Sequence, residues 1–173
     1  MKRNLFIFTA VLATFTLLNQ KAKAQDLKSV TVPVTITLSD AFSITLGTAA
    51  GADFVYNNAA SYTAAQSRTQ PNQFSVISNK AYSVAVSATA FTPTTTIGLG
   101  IIQVAIDGAT APSGTTYNQV PLATTAGTLI ATGPATVGTS YNVKYSIPDA
   151  SSLIGKPTTT PYSTNVTYTI TQP

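Results

Sequence analysis

A chain with no histidine and no cysteine has few ways to make or break a covalent bond. Serine and threonine are plentiful, but their hydroxyls become useful nucleophiles near neutral pH only beside a base such as His or a buried Lys. Glutamate is absent too, so the five acids are Asp26, Asp40, Asp53, Asp107 and Asp149. A facing pair of carboxylates could hydrolyse a glycoside. Yet Asp40, Asp53, Asp107 and Asp149 fall at expected strand ends or turns, where Asp accepts hydrogen bonds from turning backbone. Their expected role is structural.

Metal chemistry finds no better footing. Zinc is held by Cys, His or clustered carboxylates, and a calcium loop needs several Asp, Asn or Glu within a few residues. No Asp-x-Asp or Asp-x-Asn spacing occurs. Gly98-Leu99-Gly100 lacks the third glycine and the following helix of a dinucleotide-binding turn. Asn165-Val166-Thr167 has the form of a glycosylation sequon but lies inside an expected strand. Of the four lysines outside the leader described below, Lys28, Lys80 and Lys156 sit beside polar or turn residues, and Lys144 is expected to face solvent. The expectation is a protein without catalytic residues, metal or cofactor.

Two residue sets can carry recognition instead. The first is the row Val30, Val32, Val34, Ile36 and Leu38, which alternates with Thr31, Pro33, Thr35 and Thr37. One face of such a strand is apolar and the other mostly hydroxyl. Pro33 cannot donate to a ladder, which marks an edge strand or one with a free side. The row fits an ordinary first strand of a sandwich, or a strand donated to the sheet edge of a neighbour. The second set is the eight tyrosines. Tyr82, Tyr141, Tyr145 and Tyr168 alternate in phase with Val and Ile and are expected in the core. Tyr62 and Tyr117 lie in or beside loops, where an aromatic face can stack on a sugar or simply pack a turn.

The elements that must position these residues are strands. Phe42, Ile44 and Leu46 continue the alternation after Ser39-Asp40, and 54–56 reads as a short strand. The stretch 57–72, with a turn at Pro71-Asn72, reads as a loop holding one helical turn around 62–66. Strands are expected at 74–78 and 82–88, split by a turn at Asn79-Lys80. Others are expected at 101–106, 117–122, 127–132, 141–147 and 162–171, and the run 101–106 suits a central strand covered on both faces. Short strands at this spacing, with no long helical pattern between them, predict an all-β chain folded as an immunoglobulin-like antiparallel β-sandwich.

The first 24 residues are of another kind. A basic start, Met1-Lys2-Arg3-Asn4, precedes a mostly apolar run over 5–18, and Ala22-Lys23-Ala24 sets small residues where a signal peptidase cuts. The run is too short to span a bilayer comfortably, which takes about 20 residues. Residues 1–24 are therefore expected to be a cleaved signal peptide, and 25–173 a single exported domain without a membrane span. Its destination is the periplasm, the cell surface or the medium. Four of the nine Lys and Arg leave with the leader, and five scattered basic residues then balance five acids. Nucleic-acid binding, which needs clustered cations, is excluded.

The leader ending in Ala22-Lys23-Ala24, the strand over 30–38, the segment Ser78-Asn79-Lys80-Ala81-Tyr82-Ser83-Val84 and the ending over 165–171 resemble short secreted bacterial β-sandwich proteins of the fimbrial-subunit and surface-protein kind. The resemblance is one of texture. Departures include the missing disulfide and Gln172 where a penultimate aromatic is usual. It implies a structural or adhesive surface protein, with copies of itself or another surface β-sandwich subunit as partner. A carbohydrate-binding module using Tyr62 and Tyr117, with a glycan as partner, is the alternative.

Overall fold

The computed structural model describes residues 28–48, 51–108 and 111–173, so the expected leader and the expected cut before Gln25 lie outside it. Contacts divide the chain into two units, residues 1–37 and 38–173. In the first, residues 28–37 carry no secondary structure. In the second, the elements are β1 (Phe42–Leu46), α1 (Ala59–Thr63), β2 (Gln66–Ser78), β3 (Tyr82–Ala88), β4 (Gln103–Ile106), β5 (Thr116–Tyr117), β6 (Val120–Pro121), β7 (Gly127–Gly133), β8 (Thr136–Ile147) and β9 (Val166–Thr171).

The strands form two antiparallel sheets, ordered β1-β2-β8-β4-β6 and β5-β7-β3-β9. Alternation explains which faces meet. Tyr82, Val84, Val86 and Ala88 on β3 are buried while Ser83, Ala85 and Ser87 are half-exposed, and Tyr141, Val143, Tyr145 and Ile147 on β8 repeat the pattern. With Phe74, Val76, Val104, Ile106, Leu122, Leu129 and Ile130, all of these buried residues but Ile147 make one core between the sheets. Each fully buried aliphatic side chain there contributes about 1.5–3 kcal/mol. The fold is thus an all-β sandwich.

Tyrosine does more than fill space. The hydroxyl of Tyr82 on β3 hydrogen-bonds that of Tyr141 on β8, and Tyr145 on β8 bonds Tyr168 on β9 in the same way. Each pair satisfies two hydroxyls and links one sheet to the other. Burial pushes the pKa of Tyr82, Tyr145 and Tyr168 up, so these hydroxyls keep their protons. Tyr82 needs room, which Gly133 provides: a Cβ at that position would overlap the Tyr82 ring.

Several elements depart from the pattern read in the sequence. Residues 30–38 form no strand: their alternation requires a ladder partner, and none is supplied within the described residues. Residues 54–56 form no strand either, although Ala52 and Phe54 pack against the core. Side chains replace the ladder there. Gln70 Nε2 donates to the Gly51 carbonyl and Gln66 Nε2 to the Val55 carbonyl, both at 3.0 Å.

The expected loop over 57–72 is half strand. Its helical turn is α1, three residues earlier than the expected 62–66 and capped by Asn58, whose Oδ1 accepts from the Ser61 N–H at 2.9 Å. From Gln66 onward the chain pairs with β8, and Pro71-Asn72 sits at a register shift with Asn72 at φ 49°. Asn tolerates that left-handed conformation. The polar run over 66–70 hid the strand, because backbone pairing leaves no apolar signature.

Other elements differ in extent or burial: β8 begins at Thr136, five residues before the expected start, and β4 at Gln103, two residues after it. The expected strand over 117–122 splits into β5 and β6, one in each sheet, because the chain crosses between sheets at Asn118-Gln119. The last strand starts at Val166, four residues later than expected, and Ser163 makes only an isolated bridge to Thr92. β4 is interior to its sheet, but only Val104 and Ile106 are fully buried, so one face is covered rather than two. Asn79-Lys80 turns the chain from one sheet to the other.

Candidate functional site

Among the described residues, the apolar row of 30–38 is the longest run of alternating exposed aliphatic side chains. Val30, Val32, Val34, Ile36 and Leu38 are between 73% and 90% exposed. Scattered exposed aliphatics are ordinary, but five in strict alternation on one short segment share one face once the segment is extended as a strand. The opposite parity is Thr31, Pro33, Thr35 and Thr37. In an extended chain, N–H groups of alternate residues point to opposite sides. Pro33 therefore spoils the ladder on the odd-numbered side, while the even-numbered side keeps every donor.

Just beyond this segment the backbone is fastened. The Asn79 side chain accepts from the Ala41 N–H at 3.0 Å and donates to the Ser39 carbonyl at 2.8 Å. The Asn79 backbone N–H donates to the Ala41 carbonyl. Gln172, one residue past β9, donates through Nε2 to Ser78 Oγ at 2.7 Å and to Asn79 Oδ1 at 3.2 Å. An ion pair joins Asp40 and Lys80, but both are more than half exposed, so its contribution is small. Asn79 and Gln172 thus tie the entry to β1 to the exit from β9. The sequence marks Asn79 only as a turn residue and Gln172 only as a departure from a family pattern, and neither signal points to this contact.

The two sides of the sandwich differ in closure. On one, β4 and β6 face β7, and Val104, Val120, Leu122 and Leu129 are buried. On the other, β1 faces β9, and each is the free edge of its sheet. The inward row of β1 is Phe42, Ile44 and Leu46, opposite Ser78, Val76 and Phe74 of β2. Phe42 is 50% and Leu46 64% exposed. The inward row of β9, Val166, Tyr168 and Ile170, packs on the core yet stays only partly buried. This side is open.

The tyrosine candidates are held apart, by different neighbours. Tyr62 on α1 packs its ring 5.1 Å from that of Tyr56 and donates to the Tyr56 carbonyl at 3.4 Å. Tyr117 on β5 is 42% exposed, and its hydroxyl lies where a side chain at Gly108 would otherwise sit. Open hollows of about 460 Å³, around Gly98, Gly100, Pro148 and Asp149, and about 510 Å³, around Ala41, Ile77, Ala135 and Val137, include neither tyrosine in their walls.

Among the described residues, Asp40, Asp107 and Asp149 lie at turns or strand ends, and Asp53 does not. Asp149 accepts from the Ser151 N–H and hydroxyl, both at 2.8 Å, which holds its carboxyl below the usual range. Asp107 directly follows β4, and its N–H donates to the Asn142 carbonyl. Asp53 is exposed on the extended segment beside β2. Among the described residues no three His, Cys, Asp or Glu side chains gather as a metal site. No helix among them is long and apolar enough to cross a membrane. Compared with protein-family models and with curated proteins, the sequence matches none.

Proposed function

We propose that this chain is an exported structural or adhesive surface protein whose copies assemble by donating the strand 30–38 to a neighbour. The observation that carries the reading is the exposed row of Val30, Val32, Val34, Ile36 and Leu38, which alternates like a strand yet belongs to neither sheet. Burying these five side chains is worth roughly 7–15 kcal/mol gross. Association costs about 4–15 kcal/mol in lost freedom. The row can therefore hold subunits together, with main-chain hydrogen bonds adding register. The leader over 1–24 supports export, and the neutral, hydroxyl-rich remainder suits a surface role.

The second reading, a glycan-binding module, is favoured by the half-exposed ring of Tyr117 alone, since Tyr62 is engaged with Tyr56. Electron microscopy of the purified exported protein and of the cell surface separates the two. Filaments support strand donation. Isolated particles at every concentration, with glycan binding that disappears in Tyr117→Ala, support the module.

A further inference from the structure

The acceptor for the donated strand is a separate question, and the free edges of the sandwich answer it. Four strands end the two sheets: β1 and β6 in one, β5 and β9 in the other. β5 and β6 span two residues each and offer almost no ladder. β1 spans five residues and β9 six, and they face each other on the open side. Both carry inward apolar rows that the core leaves part-covered: Phe42, Ile44 and Leu46 on one, Val166, Tyr168 and Ile170 on the other.

We infer that the free edge of β9 is the acceptor: residues 30–38 of a second copy add to it as a further strand. The inference rests on the strand-donation reading above. The even-numbered residues bond to β9 and turn their side chains into the gap over Tyr168 and toward Phe42 and Leu46. The Thr-Pro-Thr-Thr parity stays outside, and Pro33 leaves the new edge without one of its donors, which discourages further strands from adding there.

Length and area agree with this fit. Nine extended residues reach about 30 Å, enough to run past the roughly 20 Å of β9. Each buried aliphatic side chain removes on the order of 60–120 Å² from water, so the donor row loses about 300–600 Å². With a like area covered on the acceptor, the total comes near the ~1,000 Å² that a specific interface needs. β9 is the better edge of the two because it is one residue longer and Val166, Tyr168 and Ile170 all pack on the core, whereas Phe42 and Leu46 on β1 are at least half exposed. Because donor segment and acceptor edge are different surfaces of one chain, the contact is head-to-tail and builds open filaments unless the rotation closes a ring.

The absence of cysteine makes the test clean. Thr35→Cys on the donor is combined in the full exported chain with Thr169→Cys on β9. Parallel chains combine it with Ser43→Cys on β1, or with Thr116→Cys on β5. Thr31→Cys and Thr37→Cys repeat the set to allow for register. All these positions are exposed, so folding, checked by circular dichroism, should persist. After mild oxidation, non-reducing gels should show a ladder of covalent multimers for the β9 set, at least tenfold more than for the β1 or β5 sets. A ladder from the β1 or β5 set alone overturns the assignment of β9 while leaving strand donation standing. A fast-migrating cross-linked monomer means the strand pairs within its own chain and overturns both. No cross-link in any set overturns strand donation itself.

Discussion

At the scale of single residues, the tyrosine pairs are the most consequential polar groups in the core. Truncating one hydroxyl strands its partner in a buried site, which costs about 1–3 kcal/mol. Tyr82→Phe and Tyr141→Phe should each destabilise the sandwich by that amount in urea unfolding. The double variant should recover much of the loss, because neither hydroxyl is then left unpaired; additive losses would show that the pair is not the unit of stability. The same groups set an alkaline limit. Tyrosine ordinarily titrates near 10, and burial raises Tyr82, Tyr145 and Tyr168 above it. The folded state therefore holds these protons more tightly than the unfolded one. That stability is complete below pH 10 and declines as pH climbs through the raised values. The thermal midpoint should stay level to about pH 9 and drop above about pH 10, together with the rise of tyrosinate absorbance. A level midpoint through pH 11 would contradict the burial of these hydroxyls.

At the scale of elements, legibility followed the apolar period. β1, β3 and β7 lie where alternating Val, Ile, Leu, Phe and Tyr predict them, as do the buried tyrosines. The first half of β2 escaped because Gln66-Ser67-Arg68-Thr69-Gln70 is held by backbone pairing to β8 and has no apolar face to read. The segment 54–56 was misread for the opposite reason: it has the apolar signature, but side chains take the place of a strand partner, Gln66 bonding the Val55 carbonyl and Gln70 the Gly51 carbonyl just before it. Replacing both glutamines with Ala should cost about 1–2 kcal/mol and speed proteolysis within 51–57, while leaving the rest of the sandwich intact. Unchanged cleavage would mean that Phe54 packing alone holds the segment. In the candidate interface, the donor row was visible in the sequence and the acceptor edge was not. Alternation tells which face of a strand is apolar; whether an inward row is fully covered depends on how the two sheets close.

At the scale of the whole molecule, the leader, the cysteine-free composition and the exposed donor row fit one reading, an exported subunit that completes its neighbour. Protein recovered outside the cytoplasm should begin at Gln25 or within a few residues of it, and an intact Met1 by mass spectrometry would refute the leader assignment. The central claim is that the row 30–38 joins copies through its apolar face. Sedimentation velocity over a concentration series, on the exported chain and on Val34→Asp and Thr35→Asp, tests it most directly. Val34→Asp places an unpaired charge in an apolar contact, whereas Thr35→Asp alters the outer face of the same segment. The wild type and Thr35→Asp should shift to larger species as concentration rises, with Val34→Asp remaining monomeric. A wild type that stays monomeric throughout, or a Val34→Asp protein that assembles as the wild type does, would contradict the account.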